Sequence, residues 1–184
     1  MTTSEHPTPD PSALPTAGLG PLVRIGGQWL IGDHERTAHI ALLPEGLEHR
    51  VAGRDPVLVP WPRLMSLGIG VSSGRFLSTP AGGLLSKYDD ITVHGSCLNA
   101  MVRNPYDMWK PRFFHHRQRY PAVEILIVRQ LLEETVRLGR ADLLGDDAWL
   151  TSALRDLAPA RLPWTRKGQL SQQERVAALV SDAR

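Results

Sequence analysis

Apolar side chains recur at every second position through short segments of the first hundred residues, and after Pro121 they switch to a helical period. That switch restricts the chain to folds in which short antiparallel strands come first and helices follow. Leu22–Ile31 reads as one strand bulged at Gly26-Gly27, and Gly32–Glu35 as a turn. Arg36–Leu43 reads as a second strand, with Ala38, Ile40 and Leu42 on one face. Pro44-Glu45-Gly46 turns the chain into Leu47–Val51. The next hairpin tip is Ala52–Asp55, where glycine supplies a positive φ. Val57–Val59 then runs into Pro60-Trp61-Pro62, and Leu64–Val71 carries Leu67, Ile69 and Val71 in phase.

Ser72–Ser86 is rich in glycine and serine and is expected to form a mobile loop around Pro80–Gly83. Two more strands are expected at Ile91–His94 and Leu98–Arg103. Asn104–Pro121 reads as a loop or irregular strand. Ala122–Leu138 is a helix closed by Gly139. Its wheel places Arg129, Gln130, Glu133, Glu134 and Arg137 on a polar side, and Ile127, Val128, Leu131, Thr135 and Leu138 on the side that packs. A second helix follows with Leu150, Ala153, Leu154 and Leu157 at i, i+3, i+4 and i+7, N-capped by Asp146 or Asp147. Ser171-Gln172-Gln173-Glu174 has the form of a capping box opening a last helix, whose stripe is Val176, Leu179 and Val180.

The two ends differ from the middle. Residues 1–20 hold Pro7, Pro9, Pro11 and Pro15 and few core-sized side chains, so a disordered tail is expected there. Residues 140–184 read as a helical extension of a domain spanning 21–139. No apolar stretch approaches the roughly 20 residues that cross a bilayer, and the N-terminus lacks the basic and apolar regions of a secretory signal. The lone Cys97 cannot form an internal disulfide. These features predict a cytoplasmic protein. Only Lys87, Lys110 and Lys167 are lysines among 21 basic residues, a vocabulary that suggests a bacterial source of high GC content. The net charge of +2 gives no bulk argument for nucleic acid or membrane.

Several short strands before one long amphipathic helix is the element order of pleckstrin-homology-like domains. Leu43-Pro44-Glu45-Gly46-Leu47-Glu48-His49-Arg50-Val51, followed by a hairpin and Val59-Pro60-Trp61-Pro62-Arg63-Leu64, resembles the pattern of bacterial members. The resemblance covers Pro21–Gly139. It implies a mainly β (α+β) fold: an antiparallel β-barrel or sandwich capped by a long helix, with the additional C-terminal helices beyond it. It also implies a binding or scaffolding module with no shared catalytic motif. Trp61 is expected to be buried, because it enters an apolar strand where an aromatic ring fills barrel volume.

The most unusual stretch is 106–120. Tyr106, Trp109, Phe113, Phe114 and Tyr120 alternate there with Lys110, Arg112, His115, His116, Arg117 and Arg119. Arginine forks bind phosphate oxygens and aromatic rings stack on bases, so Lys110, Arg112, Arg117 and Arg119 are candidate anion-binding residues. The competing reading is packing: Trp109, Phe113 and Phe114 fill the barrel or lie beneath the helix. His94-x-x-Cys97 has the spacing of a zinc-ligand pair that His115 or His116 could complete, but adjacent histidines point apart on a strand, so no metal is expected. Cys97 reads as a small buried hydrophobe rather than a nucleophile, and Asp89-Asp90 as turn residues rather than an acid/base pair. Gly82–Lys87 lacks phosphate-loop spacing. No catalytic group and no cofactor are expected.

The function expected from the sequence is therefore a non-enzymatic protein-interaction or scaffolding module. Its partner is another protein or a second copy of the chain. The expected contact residues are Leu126, which lies among polar residues on its helix, with Val176, Leu179 and Val180 on the last helix. The alternative is an anionic ligand, phospholipid or nucleic acid, bound through 106–120.

Overall fold

The computed structural model describes residues 17–71, 96–116, 120–158 and 166–183. The Ser72–Ser86 loop, the Ile91–His94 strand, Gly82–Lys87, Asp89-Asp90, His94, Arg117, Arg119 and residues 1–16 lie outside the described residues.

Among the described residues the chain is mixed α+β, with two antiparallel sheets and three α-helices. The first sheet is a six-stranded meander in chain order: β1 (Ala17–Leu19), β2 (Leu22–Ile25), β3 (Gln28–Ile31), β4 (Ala38–Leu43), β5 (Gly46–Val51) and β6 (Val57–Pro60). A 3-10 turn at Trp61–Arg63 leads into the second sheet. There β8 (Ser96–Val102) pairs with β7 (Leu64–Gly70) along one edge. Along the other it pairs with β9 (Asp107–Trp109) and β10 (Arg112–Phe113) at opposite ends. Among the described residues the two sheets do not close into a barrel. They meet at one corner, where the Phe114 N–H donates to the Ala38 carbonyl at 3.1 Å and the Asp33 N–H to the Phe114 carbonyl at 2.8 Å.

The first expected strand is in fact a hairpin. Gly26 and Gly27 have φ of 57° and 82°, and Ile25 pairs with Gln28 across them. Two consecutive positive φ values make a tight two-residue turn that reverses the chain, which a bulge does not. The expected tail is also shorter than 20 residues. Ala17–Leu19 pairs with β2, Leu19 is buried, and the Gly20 N–H donates to Glu124 Oε2 at 2.7 Å. Three ladder positions, one buried leucine and a charge-assisted bond offset the ordering entropy of this short piece.

Strand register divides the first sheet into two apolar faces. Leu22, Ile31, Ile40, Trp29, Leu42, Leu47 and Val59 point into the main core. Val23, Leu30 and Ala41 form one rung of the opposite face, where with Ile25 and Leu43 they make a separate buried cluster. Both faces are therefore covered, unlike a sheet with one wet side.

Three helices complete the main core: α1 (Ala122–Arg137), α2 (Asp147–Leu157) and α3 (Arg166–Ser181). Helix α1 packs chiefly on β7 and buries Ile127, Val128, Leu131, Leu132 and Val136. It ends as the sequence predicts. The Gly139 N–H donates to the Val136 carbonyl at 3.0 Å and the Arg140 N–H to the Thr135 carbonyl at 2.8 Å, a Schellman cap around Gly139 at φ 71°. Asp146 caps α2 by accepting the Trp149 N–H at 3.0 Å, and the four predicted apolar residues of α2 are all buried. A 3-10 turn, Ala141–Gly145, joins α1 to α2 and buries Leu143 and Leu144.

The last helix departs from expectation at its start and in its packing. It begins at Arg166, so Ser171–Glu174 lies inside it and does not open it. It runs parallel to α1. Gln130 Nε2 donates to the Gln169 carbonyl at 3.1 Å, and Gln173 Nε2 donates to Glu134 Oε1 at 2.7 Å, one turn further along both helices. Gln130 and Glu134, placed on the polar side by the wheel, are consequently 7% and 2% exposed. Leu143, Leu144, Leu150, Leu154, Leu157, Val176 and Val180, all within the expected extension, belong to the same apolar cluster as the strands.

Candidate functional site

Trp61 is 4% exposed, as expected of it. Its Nε1 donates to the Leu43 carbonyl at 2.9 Å and to the Pro44 carbonyl at 3.1 Å, so the ring is fixed between the two sheets. Beside it opens a groove of about 600 Å³. Trp61, Leu64, Val136 and Ala141 form its apolar floor, at 4–8% exposure. Met65 stands on the lip and is 46% exposed. It occupies a register shift in the β7–β8 ladder between Leu64 and Ser66, which turns an apolar side chain outward.

Arg103 forms another part of the rim. Its backbone is locked by reciprocal contacts with Arg63. The Arg103 N–H donates to the Arg63 carbonyl, and Arg63 Nε donates to the Arg103 carbonyl, each at 2.9 Å. Among the described residues the Arg103 guanidinium makes no ion pair. Asp142, also on the rim, faces Arg140 at 3.8 Å. The turn that carries Arg103 leads into Tyr106 and Met108, which are 74% and 50% exposed. The site was not among the sequence expectations beyond Trp61. The Met65 register shift and the Arg63–Arg103 pairing depend on chain segments 35 or more residues apart, which no local pattern announces.

The expected partner residues fare differently. Val176 and Val180 are completely buried in the main cluster, so they are core and not a partner surface. The parallel docking of α3 on α1 covers this stripe, narrow as it is. Leu126 and Leu179 are half-buried.

The aromatic and basic segment divides between packing and surface. Phe113 is fully buried, Trp109 is half-buried against the core, and Phe114 is 43% exposed. Lys110 and Arg112 are exposed, and Arg112 lies opposite Cys97 in the β8–β10 ladder. Cys97 is buried, and that burial raises its thiol pKa despite Lys110 and Arg112 nearby. A buried thiol held protonated is a poor nucleophile. His115 stacks between Phe113 and Tyr120, at centroid distances of 6.3 and 5.1 Å, and bonds Ser96 Oγ through Nε2. The Tyr120 hydroxyl accepts the His116 backbone N–H at 2.9 Å and lies 2.6 Å from His116 Nδ1. Burial lowers the pKa of both histidines and pushes Tyr120 up to about 12. His115 Nε2 and His116 Nδ1 are thus engaged, whereas His116 Nε2 is buried with no hydrogen-bond partner among the described residues. Among the described residues no group of three or more His, Cys, Asp or Glu side chains is arranged to hold a metal ion. Nor, among them, is any helix long and apolar enough to cross a membrane.

No family model matches the chain, and no curated protein or solved structure matches it either.

Proposed function

We propose that this chain is a non-enzymatic protein-interaction module of PH-like form, working in a bacterial cytoplasm and docking its partner in the groove beside Trp61. The observation that carries this reading is the groove itself: an apolar floor anchored on a hydrogen-bonded tryptophan, with Met65 46% exposed at its lip. Methionine adapts its shape to a partner, and apolar anchors entering a pre-formed depression supply most of the energy of such contacts. Two antiparallel sheets followed by a long helix that packs on the second of them support the PH-like part of the reading.

The test is a photo-crosslinking side chain placed at Met65, and at the exposed Glu174 as control, in the full chain within its own cell. Discrete protein adducts from position 65 alone are expected. Equal labelling from both positions, or none, would rule the reading out. The anionic-ligand alternative draws on Lys110 and Arg112, which are exposed close together in sequence. It requires binding to phosphate-bearing vesicles or oligonucleotides that falls steeply with salt.

A further inference from the structure

Resting on that docking reading, we infer that the partner segment is acidic as well as apolar: it places an apolar side chain on Trp61 and Met65 and a carboxylate on Arg103. The charges around the groove decide the sign. Arg63, Arg103 and Arg140 lie at or next to the rim, and the acid there, Asp142, already faces Arg140. Arg140 is further engaged, its Nη1 donating to the Ala183 carbonyl at 2.8 Å. Arg103 has a fixed backbone and, among the described residues, a guanidinium with no ion pair, beside apolar surface. A guanidinium in that setting selects a carboxylate, because its planar fork gives two parallel charge-assisted bonds.

The helix end that forms one wall adds to this selection. The carbonyls of Thr135 and Val136 at the end of α1 are taken up by the Schellman cap, so these two acceptors are not open to a partner's donors. A basic segment would meet Arg103 and Arg63, with Asp142, which already faces Arg140, as the acid on the rim. Like-charge juxtaposition of this kind suppresses a wrong partner more strongly than it tunes a right one.

The experiment is selection of a random dodecapeptide library, displayed on phage, against the immobilised full chain. Wild type, Met65→Asp and Arg103→Glu are compared. Both substituted residues are exposed, so both variants should melt as wild type does. Selected peptides should combine large apolar residues with Asp or Glu. They should bind each variant at least about tenfold more weakly than wild type. Replacing the critical acid of a selected peptide with Lys should restore binding to Arg103→Glu. If the peptides are basic or uncharged yet lose binding to Met65→Asp, the acidic partner is wrong and the docking reading survives. If no peptide is enriched, if binding ignores both substitutions, or if Met65→Asp instead dissolves a dimer of the chain, the inference is overturned.

Discussion

Gln173 Nε2 donates to Glu134 Oε1 at 2.7 Å, while Arg137 approaches Glu134 Oε2 through Nε at 2.8 Å and Nη2 at 2.5 Å. Both oxygens of a carboxylate that is 2% exposed are therefore occupied. Burial alone would raise its pKa; the bonds from Arg137 and Gln173 outweigh it and hold the pKa below the usual range. Glu134→Ala leaves Gln173 without this acceptor and opens the seam between α1 and α3. A loss of about 1.5–3 kcal/mol is expected, the range for hydrogen bonds to charged groups. Urea titration measures it, and a loss under about 0.5 kcal/mol would mean that the seam is held by its apolar packing alone.

Replacing Val180 with Glu separates core from partner surface at the same helix. Val180 is completely buried, so a carboxylate there is taken out of water. The variant should lose cooperative unfolding or melt many degrees lower. A variant that melts like wild type but changes its assembly would return the helix to the role of partner surface.

The contrast between those two residues and Trp61 shows what was legible in the chain. The burial of Trp61, the Gly139 cap and the Leu150–Leu157 stripe rest on signals contained within a few residues, and all are found in place. The Gly26-Gly27 reversal was ambiguous because two glycines serve a bulge as well as a hairpin. Gln130 and Glu134 read as solvated because a helical wheel has one free side until a second helix is known to cover it. The groove needs β7, the β8–β9 turn and the end of α1 together, and these are brought together only by tertiary pairing.

Trp61 admits a graded test. Trp61→Ala should cost about 3–5 kcal/mol, as large aromatic deletions from cores do. Trp61→Phe keeps most of the ring but removes the Nε1 donor shared by Leu43 and Pro44, and should cost about 1–3 kcal/mol. Equal losses in the two variants would show that the hydrogen bond, not the ring, fixes this corner.

Two truncations isolate β1. A chain starting at residue 21 loses the pairing of Ala17–Leu19, the buried Leu19 and the Gly20–Glu124 bond, whereas one starting at residue 17 keeps all three. The shorter chain should be less stable than the longer by about 2–4 kcal/mol, chiefly from the leucine side chain and the charged hydrogen bond. Matching denaturation curves for the two would mean that β1 contributes nothing net once its ordering entropy is included.

Acid should weaken the fold as the pH falls from about 6.5 to about 4, a window whose lower end overlaps carboxylate titration. Among the described residues the two enclosed ring nitrogens of His39 have no hydrogen-bond partner. Burial, and then Arg50, its cross-strand neighbour, push the His39 pKa down to about 4. His34 and His49 add to the effect, and Asp33 opposes it. An unfolded histidine titrates near 6.5, so in this window the unfolded chain binds a proton that the folded chain refuses. Stability is therefore full above about pH 6.5, declines as the pH falls, and this loss is complete near pH 4. Burial lowers His49, His115 and His116 as well, so their contributions have the same sign. Asp147, held down by its hydrogen bonds from Arg24, and Glu134 add their own losses as the pH falls through the carboxylate range, whereas burial raises Glu133 and gives it the opposite sign. Urea midpoints taken from about pH 7.5 to about pH 4.5 should fall steadily in the wild type. His39→Gln removes one of these titrations, and its slope against pH should be shallower by up to about one proton. A wild-type midpoint that stays flat from about pH 7 to about pH 5, or a variant with an unchanged slope, would show that the His39 ring is protonated in the folded protein at no cost.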